Sequence, residues 1–381
     1  MLVVTMHPVA AAIHRHGALP FDQVVERALY DHEGGFYESG GRAGGRNGDF
    51  LTSPEVGALF GAVVARALDV WWRDLGSPDP FVVVEAGAGP GTLCRTVLAA
   101  APACAVALRY VLVERSTSQR RLHAEKVRLE DPALAFAPVD PDTESPVGGP
   151  PAGPICVSLA ELPRLAGPVV VLANELLDNL PFGLAERRDG VWREVRVDLD
   201  PADPARLAER LVPLDPDRSA MLDRLAPAAT DGARVPLQGA AASWLREALD
   251  LATPTGRVVV VDYASTTADL AARPQSEWLR TYRGHARGGA PLEDLGVQDI
   301  TCEVAVDQLA LVRPPTSDRS QVDWLRAHGI DDLVADARAT WTERAHIGDL
   351  AALTARSRVA EAEALLDPTG LGRFRVLEWT G

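Results

Sequence analysis

The stretch Phe81–Leu93, FVVVEAGAGPGTL, constrains this chain more than any other. It opens as an unbroken apolar run, Phe81-Val82-Val83-Val84, which reads as a strand buried on both faces. Glu85 follows, then Gly87, Gly89 and Gly91, which let the backbone turn sharply and come close to a ligand. Leu93–Ala101 reads as a helix whose amino end faces the same point. Strand, glycine turn and helix in this order build the nucleotide-type site of an open α/β sheet. The spacing is G-x-G-x-G, not the G-x-G-x-x-G of a dinucleotide fingerprint. S-adenosylmethionine (SAM) carries no phosphate and needs no full anion cradle, and its sulfonium and ammonium prefer carboxylates and carbonyls. The turn therefore favours SAM. A dinucleotide, or a tight turn that binds nothing, are the alternatives.

Bulk composition narrows the field further. A chain of 381 residues with 47% apolar content buries a large core in one elaborated domain or two. Its net charge of −15 opposes broad nucleic-acid binding and gives no support for binding anionic membranes. The four cysteines, Cys94, Cys104, Cys156 and Cys302, are scattered, with no C-x-x-C pair. Neither a metal site nor a disulfide framework is expected, and a reduced cytoplasmic location is. The opening MLVVTMHPVAAAI lacks a charged region before its apolar one and is not read as a signal peptide. No stretch approaches the roughly 20 apolar residues of a membrane helix.

In chain order, residues 20–31 predict a short amphipathic helix with Phe21, Val24, Val25, Ala28 and Leu29 on one face. Residues 31–50 carry seven glycines and read as a loop, either loose at the surface or a lid over a ligand. GDFLTSPE follows, and Thr52 or Ser53 caps a helix predicted to run to about Trp72, with Pro54 suited to its first position. A helix start beside a cofactor would explain why a glycine-rich run leads into Asp49 and Phe50. Residues 109–114, RYVLVE, read as a second strand whose terminal Glu114 bonds ribose hydroxyls. Residues 115–129 read as a helix, 140–154 as a loop and 155–159 as a third strand.

The fourth strand, residues 168–174, runs directly into Glu175-Leu176-Leu177-Asp178-Asn179-Leu180-Pro181. Asn174 offers donor and acceptor atoms at the strand's end. Glu175 and Asp178, three apart, share a face if this run forms a helical turn. N-capping and helix-dipole effects are the plainer account of the same residues. A hairpin about Asp189-Gly190 is predicted over 183–198, inside an insertion that spans 181–235. A helix at 240–252, a fifth strand at 256–263, an extended run at 299–306, a sixth strand at 309–312 and helices at 322–328 and 330–342 follow. A last strand falls at 374–379. Tyr282, Arg283 and His285 lie on a glycine-rich loop, where His285 is either a base or simply exposed.

EAGAGPGTL, the strand ending at Glu114 and ANELLDNLP together resemble class I SAM-dependent methyltransferases. With GGFY, GDFLTSPE, LRTYRGH, DIT and GRFRVLEW, the set resembles the MidA-like family, over about 19–379. That family includes the mitochondrial arginine methyltransferase that helps assemble respiratory complex I. Ala88 and Pro90 depart from the family's pattern in the turn, as does Ala62 after Leu59-Phe60-Gly61. The resemblance implies an α/β fold: a Rossmann-like seven-stranded class I methyltransferase sheet with helices on both faces, an N-terminal helical segment and an inserted subdomain. The domains expected are 1–75, a helical or lid segment; 76–180, the first part of the SAM-binding core; 181–238, the insertion; and 239–381, the second part of the core. SAM is the implied cofactor. Its contacts are placed at Glu85, Gly87, Gly89, Gly91, Glu114 and Asn174, with Asp49, Thr52, Ser53 and Pro54. Asn174, Glu175 and Asp178 are placed beside the transferred methyl.

Methyl transfer from a sulfonium needs alignment and water exclusion more than a strong base. Carboxylates at Glu175 and Asp178 match the planar fork of a guanidinium. The acceptor expected is a protein arginine. A small-molecule acceptor, a SAM-holding assembly factor without catalysis and a nicotinamide oxidoreductase are the rivals. Homodimerisation is left open.

Overall fold

The computed structural model describes residues 7–39, 52–136, 152–165, 167–284 and 286–380. The chain divides into two compact units. One comprises residues 51–174, 247–261 and 315–381; the other comprises 1–50, 175–246 and 262–314.

The first of these is built on a seven-stranded sheet. Its strands are β1 (Phe81–Ala86), β2 (Leu108–Val113), β3 (Ile155–Leu159), β4 (Val169–Asn174), β5 (Arg257–Asp262), β6 (Ser317–Ser320) and β7 (Arg375–Thr380). Their order across the sheet is β6-β7-β5-β4-β1-β2-β3. This is the class I methyltransferase sheet that the sequence resemblance implied. The valine-rich β1, β2 and β4 are buried along nearly their whole length, as an apolar run without alternation requires. Strands β1 to β5 pair parallel where they meet, and β6 pairs antiparallel with β7. The order reverses between β1 and β4, so the crevice for a ligand opens at their carboxyl ends. There Ala86 pairs with Ala173, which brings the glycine turn and Asn174 to neighbouring strand tips.

Three elements differ from expectation. The sixth strand is Ser317–Ser320, not 309–312; Leu309 and its neighbours end the helix Val306–Ala310. The helix expected from Thr52 to Trp72 is two, Ser53–Val56 and Ala58–Asp74, broken at Gly57. Its predicted stripe is nonetheless buried at Leu59, Phe60, Val63, Leu68 and Trp71. The helix expected over 115–129 is two short pieces, Thr117–Arg120 and His123–Lys126.

The other unit packs two helices, Pro8–His16 and Phe21–Tyr30, with small antiparallel sheets. The predicted hairpin is present as Gly183–Arg188 and Val191–Leu199, turning at Asp189 and Gly190, both with positive φ. Its core gathers Phe21, Val25, Leu29, Phe182, Val195 and Trp278. Residues 31–39 of the glycine-rich stretch are anchored rather than loose. Phe36 and Tyr37 are buried, and their amides donate to Ala28 O and Leu29 O. Asp49, the rest of that stretch through residue 51 and most of the 140–154 loop lie outside the described residues, as does His285. No described helix is long and apolar enough to cross a membrane.

Candidate functional site

The glycine turn leaves β1 with positive φ at Gly87, Gly89 and Gly91 (67°, 51° and 84°). Only glycine takes such a run at low cost, which is why the sequence spends three here. A Cβ placed on Gly89 would meet no heavy atom of the described residues within 4 Å, its chain neighbours apart, so among these residues the turn presents bare backbone. One placed on Gly91 would stand 3.1 Å from Leu112 Cδ2, so the turn's inner side is closely packed. The helix Thr92–Ala99 begins directly after it.

Two side chains from beyond β2 hold the apex. Glu114 Oε2 accepts from Gly89 N at 2.9 Å, and Glu114 Oε1 accepts from Ser116 N at 2.8 Å. His123, fully buried, brings Nε2 to 2.8 Å from Gly89 O and Nδ1 to 2.8 Å from Ser158 Oγ on β3. Burial holds its imidazole below the ordinary value. Sequence reasoning read Glu114 from its place at a strand end and missed His123. A histidine following Arg120-Arg121-Leu122 carries no signal that it turns inward.

Glu85 lies in the strand itself, 4% exposed, and Tyr110 Oη donates to its Oε2 at 2.7 Å. Burial pushes its carboxyl up to about 8, against the hydrogen bond from Tyr110. Glu85 is therefore largely protonated at neutral pH. Ser53 is buried and its Oγ donates to Gln321 Oε1 at 3.1 Å, while Thr52 makes no side-chain cap. Pro54 is buried in the first turn of its helix.

The second cluster belongs to the other unit, and the chain enters it at the peptide after Asn174. Glu175 takes φ 52°, a left-handed conformation that a non-glycine residue adopts only when its surroundings impose it. No helix follows. Asn179 N reaches Leu176 O and Leu180 N reaches Leu177 O, each at 3.3 Å, in tight turns. Asp262 holds this turn: its Oδ2 accepts from Leu177 N at 2.9 Å and Asp178 N at 3.3 Å.

Asp178 is 2% exposed, and Thr301 Oγ1 donates to its Oδ2 at 2.6 Å. Asp299, fully buried, accepts at Oδ1 from Tyr37 Oη at 3.2 Å and Asn179 Nδ2 at 3.0 Å. The GGFY and DIT motifs thus close on the Asp178-Asn179 turn. Asp178 Oδ1 and Asp299 Oδ2 accept no hydrogen bond among the described residues. Burial raises Asp178 to about 6 and Asp299 to about 7. It also drives Asp262 well above the carboxylate range, with Asp178 and Glu175 adding to the effect. Such a cluster favours a cation, whose charge would restore the ionised carboxylates.

A family model for S-adenosyl-L-methionine-dependent methyltransferases matches residues 63–318. The chain belongs to this family. The methyltransferase is 30% identical to the Drosophila melanogaster homolog of the mitochondrial protein arginine methyltransferase NDUFAF7, over 52% of this chain and 45% of that protein. It is 31% identical to mouse NDUFAF7 over 47% of this chain and 42% of that one. The match thus spans less than half the length of either relative. A Burkholderia thailandensis protein solved with S-adenosyl-homocysteine superposes with a TM-score of 0.78 at 26% identity, covering 98% of this chain and 90% of that one. SAM is the cofactor, and the turn fits it. Among the described residues, bare backbone at Gly89 leaves room beside the turn, which Glu114 holds through Gly89 N and Ser116 N.

Proposed function

We propose that this methyltransferase acts on the side chain of a protein arginine, with Glu175 and Asp178 orienting the guanidinium. The observation that carries the reading is the concentration of buried acids about the 175–179 turn: Asp178, Asp262 and Asp299, beside Glu175. A planar cation with several donors matches carboxylates held at fixed angles. The arginine methyltransferases among the relatives support it. Cofactor contacts are proposed at Glu85, Gly87, Gly89, Gly91, Glu114 and Asn174, with Asp49, Thr52, Ser53 and Pro54 nearby in the sequence.

SAM supplies an activated methyl group. The chain's own task is alignment and exclusion of water. The carbon–sulfur bond breaks as a guanidinium nitrogen bonds the methyl carbon, and that nitrogen then gives up a proton. Asp178, with a carboxyl near 6, is suited to receive it. The four cysteines are all free and buried, which fits the reducing cytoplasm proposed as the enzyme's location.

The test uses Glu175→Gln and isotopically labelled SAM with lysate from a strain lacking the gene. Calorimetry should give wild-type affinity for SAM, while labelled transfer falls about a hundredfold or more, as misorientation of a reacting group does. Acid hydrolysis of the wild-type product should return the label on methylarginine. Label on a small molecule or on another amino acid would remove the arginine assignment. Loss of SAM binding in a folded variant would make Glu175 a cofactor ligand instead.

A further inference from the structure

We infer that His123 is a positioning residue for the cofactor: its ring, tied to Ser158, fixes the Gly89–Pro90 peptide in the orientation that receives SAM. Gly89 O accepts and never donates, so the nitrogen 2.8 Å from it, Nε2, carries the proton. The neutral ring then has only a lone pair at Nδ1, and Ser158 Oγ, 2.8 Å away, must donate to it. One tautomer and one hydroxyl orientation satisfy the whole chain of contacts. Burial, which disfavours the imidazolium, keeps the ring in this neutral form.

The Gly89–Pro90 peptide needs such a hold. Proline leaves it without an N–H, so its carbonyl is its only hydrogen-bonding group. Gly89, at φ 51°, has no side chain to resist rotation. Glu114 secures Gly89 N from one side, and His123 secures Gly89 O from the other. The ring also fills the space behind the turn: a Cβ on Gly91 would lie 3.4 Å from His123 Cδ2. With both polar groups of Gly89 held by side chains, its remaining face keeps one shape. Without the ring, the carbonyl is free to rotate into that face.

SAM binding is read directly by calorimetry, so the test needs no methyl acceptor and stands apart from the arginine assignment. His123→Ala should weaken SAM binding about tenfold or more, the cost of losing a buried hydrogen bond that shapes the site. In His123→Gln, the side-chain amide offers an N–H to Gly89 O, and affinity should return to within about threefold of wild type. A purely structural role for the ring would move thermal stability in both variants and leave SAM affinity alone. Should His123→Ala fail to fold, Ser158→Ala keeps the ring and removes its anchor, and should weaken SAM binding about threefold. Wild-type affinity in whichever of the Ala variants folds, or no recovery in a folded Gln variant, would overturn the inference.

Discussion

Glu114 shows how one side chain can tie its own strand end to a turn distant in the sequence. Its two oxygens take the amides of Gly89 and Ser116, so the carboxylate bridges the glycine turn and the segment after β2. A glutamine keeps the shape and loses one acceptor. Whichever way the amide is flipped, its NH2 faces one of the two backbone N–H groups, and a half-buried donor is left facing a donor. Glu114→Gln should therefore weaken SAM binding about tenfold in calorimetry, despite its near-identical size. Equal affinity would mean that the carboxylate's charge and second acceptor do nothing for the cofactor. The strand that ends just before Glu114 was legible because the strand after a glycine turn has a definite place in this kind of sheet. His123 and Asp262 were not recognised. Each acts on backbone far away in the sequence, and no local pattern marks the partner.

At the level of elements, buried apolar runs were read well and polar ones were not. β1, β2 and β4 announce themselves because strands covered on both faces need continuous Val and Leu. β6, SDRS, has no apolar pattern at all. It exists because β7 offers it a ladder and because side chains cross between them: Arg375 Nε donates to Asp318 at 2.8 Å and Arg319 Nη2 to Glu378 at 3.2 Å. The break at Gly57 has a similar origin. Glu361, from the helix Leu350–Leu365, puts Oε2 2.8 Å from Leu59 N and caps the helix Ala58–Asp74 from outside its own segment. Ser357 Oγ steadies the other oxygen at 2.9 Å. A Cβ on Gly57 would overlap that carboxylate. Glu361→Ala should cost about 1–3 kcal/mol in denaturant unfolding, because it leaves a buried amide unpaired. Gly57→Ala should cost a similar amount by pushing the carboxylate off the amide. The double variant should then be clearly less destabilised than the sum, since both changes remove the same cap. Additive losses would mean that the cap is not what Gly57 protects.

Across the whole molecule, the methyltransferase sheet followed from motifs, whereas the unit that carries Glu175 and Asp178 showed its motifs, GGFY, ELLDNLP, LRTYRGH and DIT, as scattered pieces with no pattern that joined them. What both units share is a set of buried acids, and these set the response to pH. Glu85 moves from an ordinary 4.5 to about 8, and Asp299 from 3.8 to about 7. A carboxyl raised on folding holds a proton that the unfolded chain has already lost, so stability falls as pH rises between the two values. Buried and half-buried imidazoles act the other way. His7, His123 and His328, the last near 4, lie below the ordinary 6.5, so they oppose the acids only beneath that pH. From pH 6.5 toward 8 the acids act without that opposition. The cofactor-free protein should therefore lose stability over this range, by about 1.4 kcal/mol per pH unit for each proton retained. Glu85→Gln isolates one of them. The amide imitates the protonated acid and still accepts from Tyr110, so urea unfolding should show the variant gaining on wild type as pH rises from 6.5 to 8. Parallel curves for the two proteins would mean that Glu85 is ionised throughout and that β1 buries a charge after all.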